Sequence, residues 1–136
     1  MNLFIDSDIL LDAVLQRLPY FDSAMQLLSF ADRDGYTLYC SAHSILNVYY
    51  VTRKIAGKVA ATKSANLLQE NLSIADTNRN ALRAGLSSDF VDFEDAVQYA
   101  IAIENKCSII ITRNLKDYNK SSIPAMTAEQ YLTSIR

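Results

Sequence analysis

The sequence is poor in the residues that build covalent or metal-bound frameworks. It has two cysteines, Cys40 and Cys107, and one histidine, His43. The cysteines lack metal-ligand spacing and stand beside predicted strands, so they read as buried free thiols. A reducing, cytoplasmic compartment is the expectation. The histidine lies in the first turn of a predicted helix, with no partner constellation around it. That is the setting of a surface or capping residue. No run of ~20 apolar residues exists, which excludes a membrane-spanning helix. An acid arrives as early as Asp6, so no signal peptide is expected. Positive charge is not in surplus: the net charge is −2. No global field draws in a polyanion, and any nucleic-acid contact must use a local basic patch. Repeats, low-complexity tracts and linkers are absent.

What is present suits one folded unit. The 136 residues, half of them hydrophobic, suggest a single domain over 1–136 with room for a real core. Apolar, β-branched runs alternate with helical periodicities. Strands are expected at 1–5, 36–40, 72–74, 108–111 and 123–126. Helices are expected at 9–15, 21–33, 42–56, 58–71, about 78–86, from 92 onward, and after Thr127. Alternation of this kind implies an α/β fold with a parallel or mostly parallel sheet.

Caps sharpen the boundaries. Ser7 or Asp8 is expected to cap the first helix, Ser41 the third and Asp92 the late one. Thr127 and Gln130 read as a capping box. Gly35 and Gly57 punctuate between elements.

The stretch from Asp92 to Tyr118 organises the rest. A helix opens with acids at Glu94 and Asp95. An apolar strand with no alternation follows, as suits a strand covered on both faces. It stops at Thr112-Arg113-Asn114, with Lys116 and Asp117 just beyond. Asp6 stands similarly at the end of the first strand. Sites in open parallel sheets form outside the carboxyl ends of strands. Asp6 and Asn114 therefore share an edge if their strands are neighbours, and Asp95 faces it from a helix N-terminus.

Converging acids need relief. Two carboxylates ~4 Å apart repel by roughly 4 kcal/mol at an effective dielectric of ~20. A proton, a basic partner or a divalent cation would relieve this. Arg113 and Lys116 are close in sequence and could act as the base. Oxygen ligands without Cys or His favour Mg²⁺ or Mn²⁺ over Zn²⁺. Spacing alone leaves metal site and salt-bridged acids both open.

Four segments together carry a resemblance: FIDSDILLD, SAHSILNVYYVTRK, DFEDAVQYAIA and IIITRNLKDY. In order, and over essentially the whole chain, they resemble the PIN-domain family. The likeness is greatest to its VapC-like toxin ribonucleases of type II toxin–antitoxin pairs. The resemblance implies a parallel sheet sandwiched by helices and a Mg²⁺- or Mn²⁺-dependent endoribonuclease site. Asp6 matches the family's first acid, Asp95 the acid opening the late helix, and Asp117 a further acid. Ser7 matches the small hydroxyl residue after the first aspartate. Asn114 falls where many members carry aspartate. The middle-helix glutamate is replaced by Asn47, which brings no charge. Asp8 and Glu94 are candidates to restore it. Arg113 and Lys116 would hold RNA phosphates. A cognate antitoxin and a homodimer are the implied partners. The rival expectation is a catalytically degenerate fold acting as an interaction or RNA-binding module.

Overall fold

The computed structural model describes residues 1–136. Its centre is the strand β1 (Asn2–Ile5), in which Leu3, Phe4 and Ile5 are fully buried. β1 pairs in parallel with β2 (Thr37–Ser41) on one side and β4 (Ile109–Ile111) on the other. β3 (Ser73–Ala75) flanks β2, and β5 (Ala125–Met126) flanks β4. The all-parallel order is β3-β2-β1-β4-β5.

Side chains alternate across the sheet and build a core on each face. Leu3, Ile5, Leu38, Cys40 and Ile111 enter one cluster, which includes residues of α1 (Ser7–Val14), α2 (Phe21–Leu28), α3 (Ala42–Ala56), α4 (Lys58–Asn71) and α7 (Ala128–Ser134). Phe4 and Ile110 face the other way, against α5 (Arg79–Leu86) and α6 (Phe93–Glu104). This is the expected α/β sandwich. Both cysteines are free and buried.

Several boundaries differ from the sequence reading. The 21–33 helix is α2 followed by a separate 3₁₀ turn, Ser29–Asp32. β3 begins one residue later than expected, and β5 keeps only two residues. The first helix starts at Ser7, capped by Asp6 rather than by Ser7 or Asp8. The other caps stand as read: Ser41 accepts from Ser44 N, Asp92 from Asp95 N, and Thr127 and Gln130 form the reciprocal box.

One glycine sets the seat of α6. A Cβ at Gly85 would come within 2.7 Å of Val97 Cγ2 and 3.3 Å of the Val97 nitrogen. Only hydrogen fits there, so α5 and α6 pack almost backbone to backbone, and the start of α6 is held firmly.

Candidate active site at the carboxyl edge

Asp6 stands where β1 gives way to α1. Its N–H donates to Ile111 O at 3.0 Å, extending the β1–β4 ladder by one residue. Its side chain is 4% exposed. Oδ1 accepts from Ser7 N at 2.8 Å. Oδ2 accepts from Thr112 Oγ1 at 2.9 Å and Tyr118 OH at 3.2 Å. Three donors favour the carboxylate, yet its pKa is pushed up to about 6. Burial is the main cause and the Asp8 charge the second. Burial also raises the Tyr118 phenol, which stays a neutral donor.

Asp95 lies in the first turn of α6 and is 7% exposed. A helix N-terminus ordinarily favours an anion. Here burial, then the charges of Asp6, Asp92 and Asp117, push its pKa up to about 7. Asp117 itself is exposed at the rim. The charges of Asp6 and Asp117 therefore both bear on Asp95. No three Asp, Glu, His or Cys side chains are grouped so as to hold a metal ion among them.

The remaining sequence candidates divide. Asp8 Oδ2 accepts the Arg113 backbone N–H at 2.8 Å, while its Oδ1 is buried without a partner. Burial raises its pKa. Ser7 Oγ donates to Ser44 Oγ at 2.8 Å, deep inside. Asn47 is half-buried, one turn beyond Ser44. Asn114 is exposed, and its backbone N–H donates to Thr112 Oγ1 at 3.0 Å. Glu94 lies 3.4 Å from His43 Nε2 at the surface. Lys116 is exposed.

Arg113 does not present a free cation to RNA. Its guanidinium forks onto Asp12, Nε to Oδ2 at 2.8 Å and NH2 to Oδ1 at 3.0 Å, and lies 4.0 Å over the Tyr20 ring. A fully buried Asp12 claims it for structure. Nor does any lysine or arginine salt-bridge Asp6 or Asp95. Of the three remedies for crowded acids, the basic partner is not used.

The sequence reading missed Asp12, Ser44, Gln98, Thr112 and Tyr118. A signal existed for two of them. Asp12 and Gln98 are polar residues within otherwise apolar helical faces, which marks a buried polar group needing a partner. The hydroxyls carry no comparable mark.

The sequence profile of the PIN domain matches residues 2–116. The chain belongs to the PIN-domain family. Among curated proteins, this PIN domain is similar to ribonuclease VapC1 of Aquifex aeolicus (strain VF5), 24% identical over 135 residues, covering 96% of this chain and 92% of that protein. Solved structures share the fold. VapBC from Salmonella typhimurium bound to DNA aligns with a TM-score of 0.70 at 11% identity, over 94% of this chain and 98% of that one. A toxin–antitoxin complex from Klebsiella pneumoniae aligns at 0.68 and 21% identity, over 93% and 97%. VapC20 of Mycobacterium tuberculosis, a sarcin-ricin loop cleaving toxin, aligns at 0.65 and 14% identity, over 79% and 86%.

Proposed function

We propose that this PIN domain is a Mg²⁺- or Mn²⁺-dependent endoribonuclease, the toxin of a type II toxin–antitoxin pair. One observation carries the reading: Asp6 and Asp95 are buried, mutually repelling carboxylates with no cationic side chain to relieve them. A divalent cation is the relief that also does chemistry. The donor set fits. Mg²⁺ keeps several waters and is bound through one or two carboxylates plus substrate phosphate oxygens, so it needs no enclosing cage of three acids. When bound, the cation lowers the pKa of a water and offsets charge at the phosphorus.

The chain's own residues do the rest. Thr112 and Tyr118 hold Asp6 Oδ2 in place. Asp117 supports Asp95 from the exposed rim. Asn47 and Asn114 offer neutral amides near the rim, and Asp8 adds charge behind Asp6. Lys116 meets a flanking phosphate. Single-stranded RNA loops are the fitting substrate, because their phosphates are accessible.

The VapBC and toxin–antitoxin complexes among the structural relatives support a partner protein. An antitoxin tail with a basic residue would cap the acids by bidentate bonds. A homodimer in the cytoplasm completes the reading.

A second reading rests on Asn47 and on the missing three-acid group: a non-cleaving module that binds RNA or its partner. One experiment tests both. Wild type should cleave a panel of cellular RNAs with Mn²⁺, and chelator or Asp6→Asn should stop it. RNA left intact by wild type under every metal condition would leave the module.

A further inference from the structure

Four buried polar side chains meet at one oxygen. Ser44 Oγ lies 2.8 Å from Ser7 Oγ, 3.1 Å from Ser41 Oγ and 2.8 Å from Gln98 Nε2. None of the four is more than 6% exposed. A hydroxyl has one proton and two lone pairs, so it makes three bonds. The Gln98 amide donates to one lone pair. One neighbouring serine donates to the other, and Ser44 gives its own proton to the remaining serine. The oxygen is saturated.

Three members of this junction stand beside a site residue. Ser7 follows Asp6. Gln98 is one turn beyond Asp95 on the same face of α6, and Ser44 is one turn before Asn47 on α3. The junction therefore ties together α1, α3 and α6, the three helices that open at the site. Apart from the Ser7 N–H on Asp6, its bonds run between neutral groups and leave the acids free.

Stability alone would not place an amide at position 98. Its neighbours Ala96, Val97, Ile101 and Ala102 are buried and apolar. A buried amide is costly unless fully bonded, and Gln98 Oε1 has no partner.

We propose that Ser44 and Gln98 are positioning residues: together with Ser7 they set the spacing of Asp6 and Asp95 so that both carboxylates address one divalent cation. This rests on the metal-dependent reading given above. The test is Mn²⁺ titration calorimetry on the full chain, with thermal melts in chelator. Gln98→Met removes the amide at nearly constant shape and should melt, metal-free, at or above wild type. Gln98→Met and Ser44→Ala should both weaken Mn²⁺ binding by about tenfold or more. Ser44→Thr, which keeps the hydroxyl, should stay within about threefold of wild type. In RNA cleavage, kcat should fall while KM stays within about twofold. Wild-type Mn²⁺ affinity in Gln98→Met and Ser44→Ala, alongside lost affinity in Asp6→Asn, overturns the positioning role and leaves the nuclease reading intact. Absent Mn²⁺ binding in wild type, or unchanged binding in Asp6→Asn, overturns both.

Discussion

Arg113 and Asp12 form a two-point ion pair, at 2.8 and 3.0 Å, between the end of β4 and the body of α1. The Arg113 N–H reaches Asp8 one turn earlier on the same helix. Backbone and side chain of one residue thus grip two acids four apart. That grip fixes the segment carrying Thr112, Asp117 and Tyr118 against the segment carrying Asp6. Removing Arg113 leaves the buried Asp12 with only the longer contact to Arg17, at 3.9 Å. Arg113→Gln should cost about 3–5 kcal/mol in urea unfolding. Arg113→Lys should rescue little, because an ammonium cannot fork. Adding Asp12→Asn to Arg113→Gln should restore part of the loss. A stable Arg113→Gln protein with weakened RNA binding would return this residue to the substrate.

Neutralising the acids should separate their roles. Asp95→Asn removes repulsion at nearly constant shape, so the metal-free protein should gain ~1–3 kcal/mol. Asp6→Asn differs, because three donors point at that carboxylate. An amide must turn its own N–H toward one of them, so relief and loss roughly cancel. Stabilisation by Mn²⁺ should shrink in both, since the linked term depends on affinity. Destabilised Asp95→Asn protein would show a structural acid instead.

Acid pH should stabilise the metal-free protein. Asp6 and Asp95 have folded pKa values raised to about 6 and about 7 from an ordinary 3.8. Between these limits the folded state binds more protons than the unfolded one. Stability therefore falls as pH rises from ~4 to ~7. Cation binding has the opposite slope, because it competes with those same protons. Melts at pH 5 and pH 7.5, with and without Mn²⁺, should cross in this way. Parallel curves would contradict the shifted carboxyls.

Lys116 is exposed and salt-bridges no acid. If it meets one phosphate, Lys116→Gln should make the log–log salt dependence of RNA binding shallower by ~0.7, the single-strand value per contact. Folding stability should hardly move, as usual for surface changes. An unchanged slope would remove Lys116 from the RNA path.

Local chemistry made much of the fold legible. Thr127 and Gln130 announce their helix three residues apart, and β1 and β4 declare their burial by lacking polar alternation. The failures are long-range or cumulative. Asp6, Ser7 and Asp8 are all competent caps, and the choice fell to Asp6 because the β1–β4 ladder runs on through its N–H. The 21–33 periodicity persists through a 3₁₀ turn, whose spacing resembles the helical one over a single turn. At the site, strand ends pointed to Asp6 and the capped helix to Asp95. Arg113 looked like a phosphate ligand because its true partner lies 101 positions earlier in the chain.

The side-chain donors of Asp6, Thr112 and Tyr118, come 106 and 112 positions after it in the chain. β1 likewise waits for β4 before it has neighbours on both sides. A growing chain therefore carries Asp6 without the clasp that orients it until those donors have been added. Fragments ending before β4 leave β1 with a neighbour on one side only and lack the edge where the acids gather. Termination before β4 should yield inert peptides, and whatever this edge does begins only once Thr112 and Tyr118 have been added.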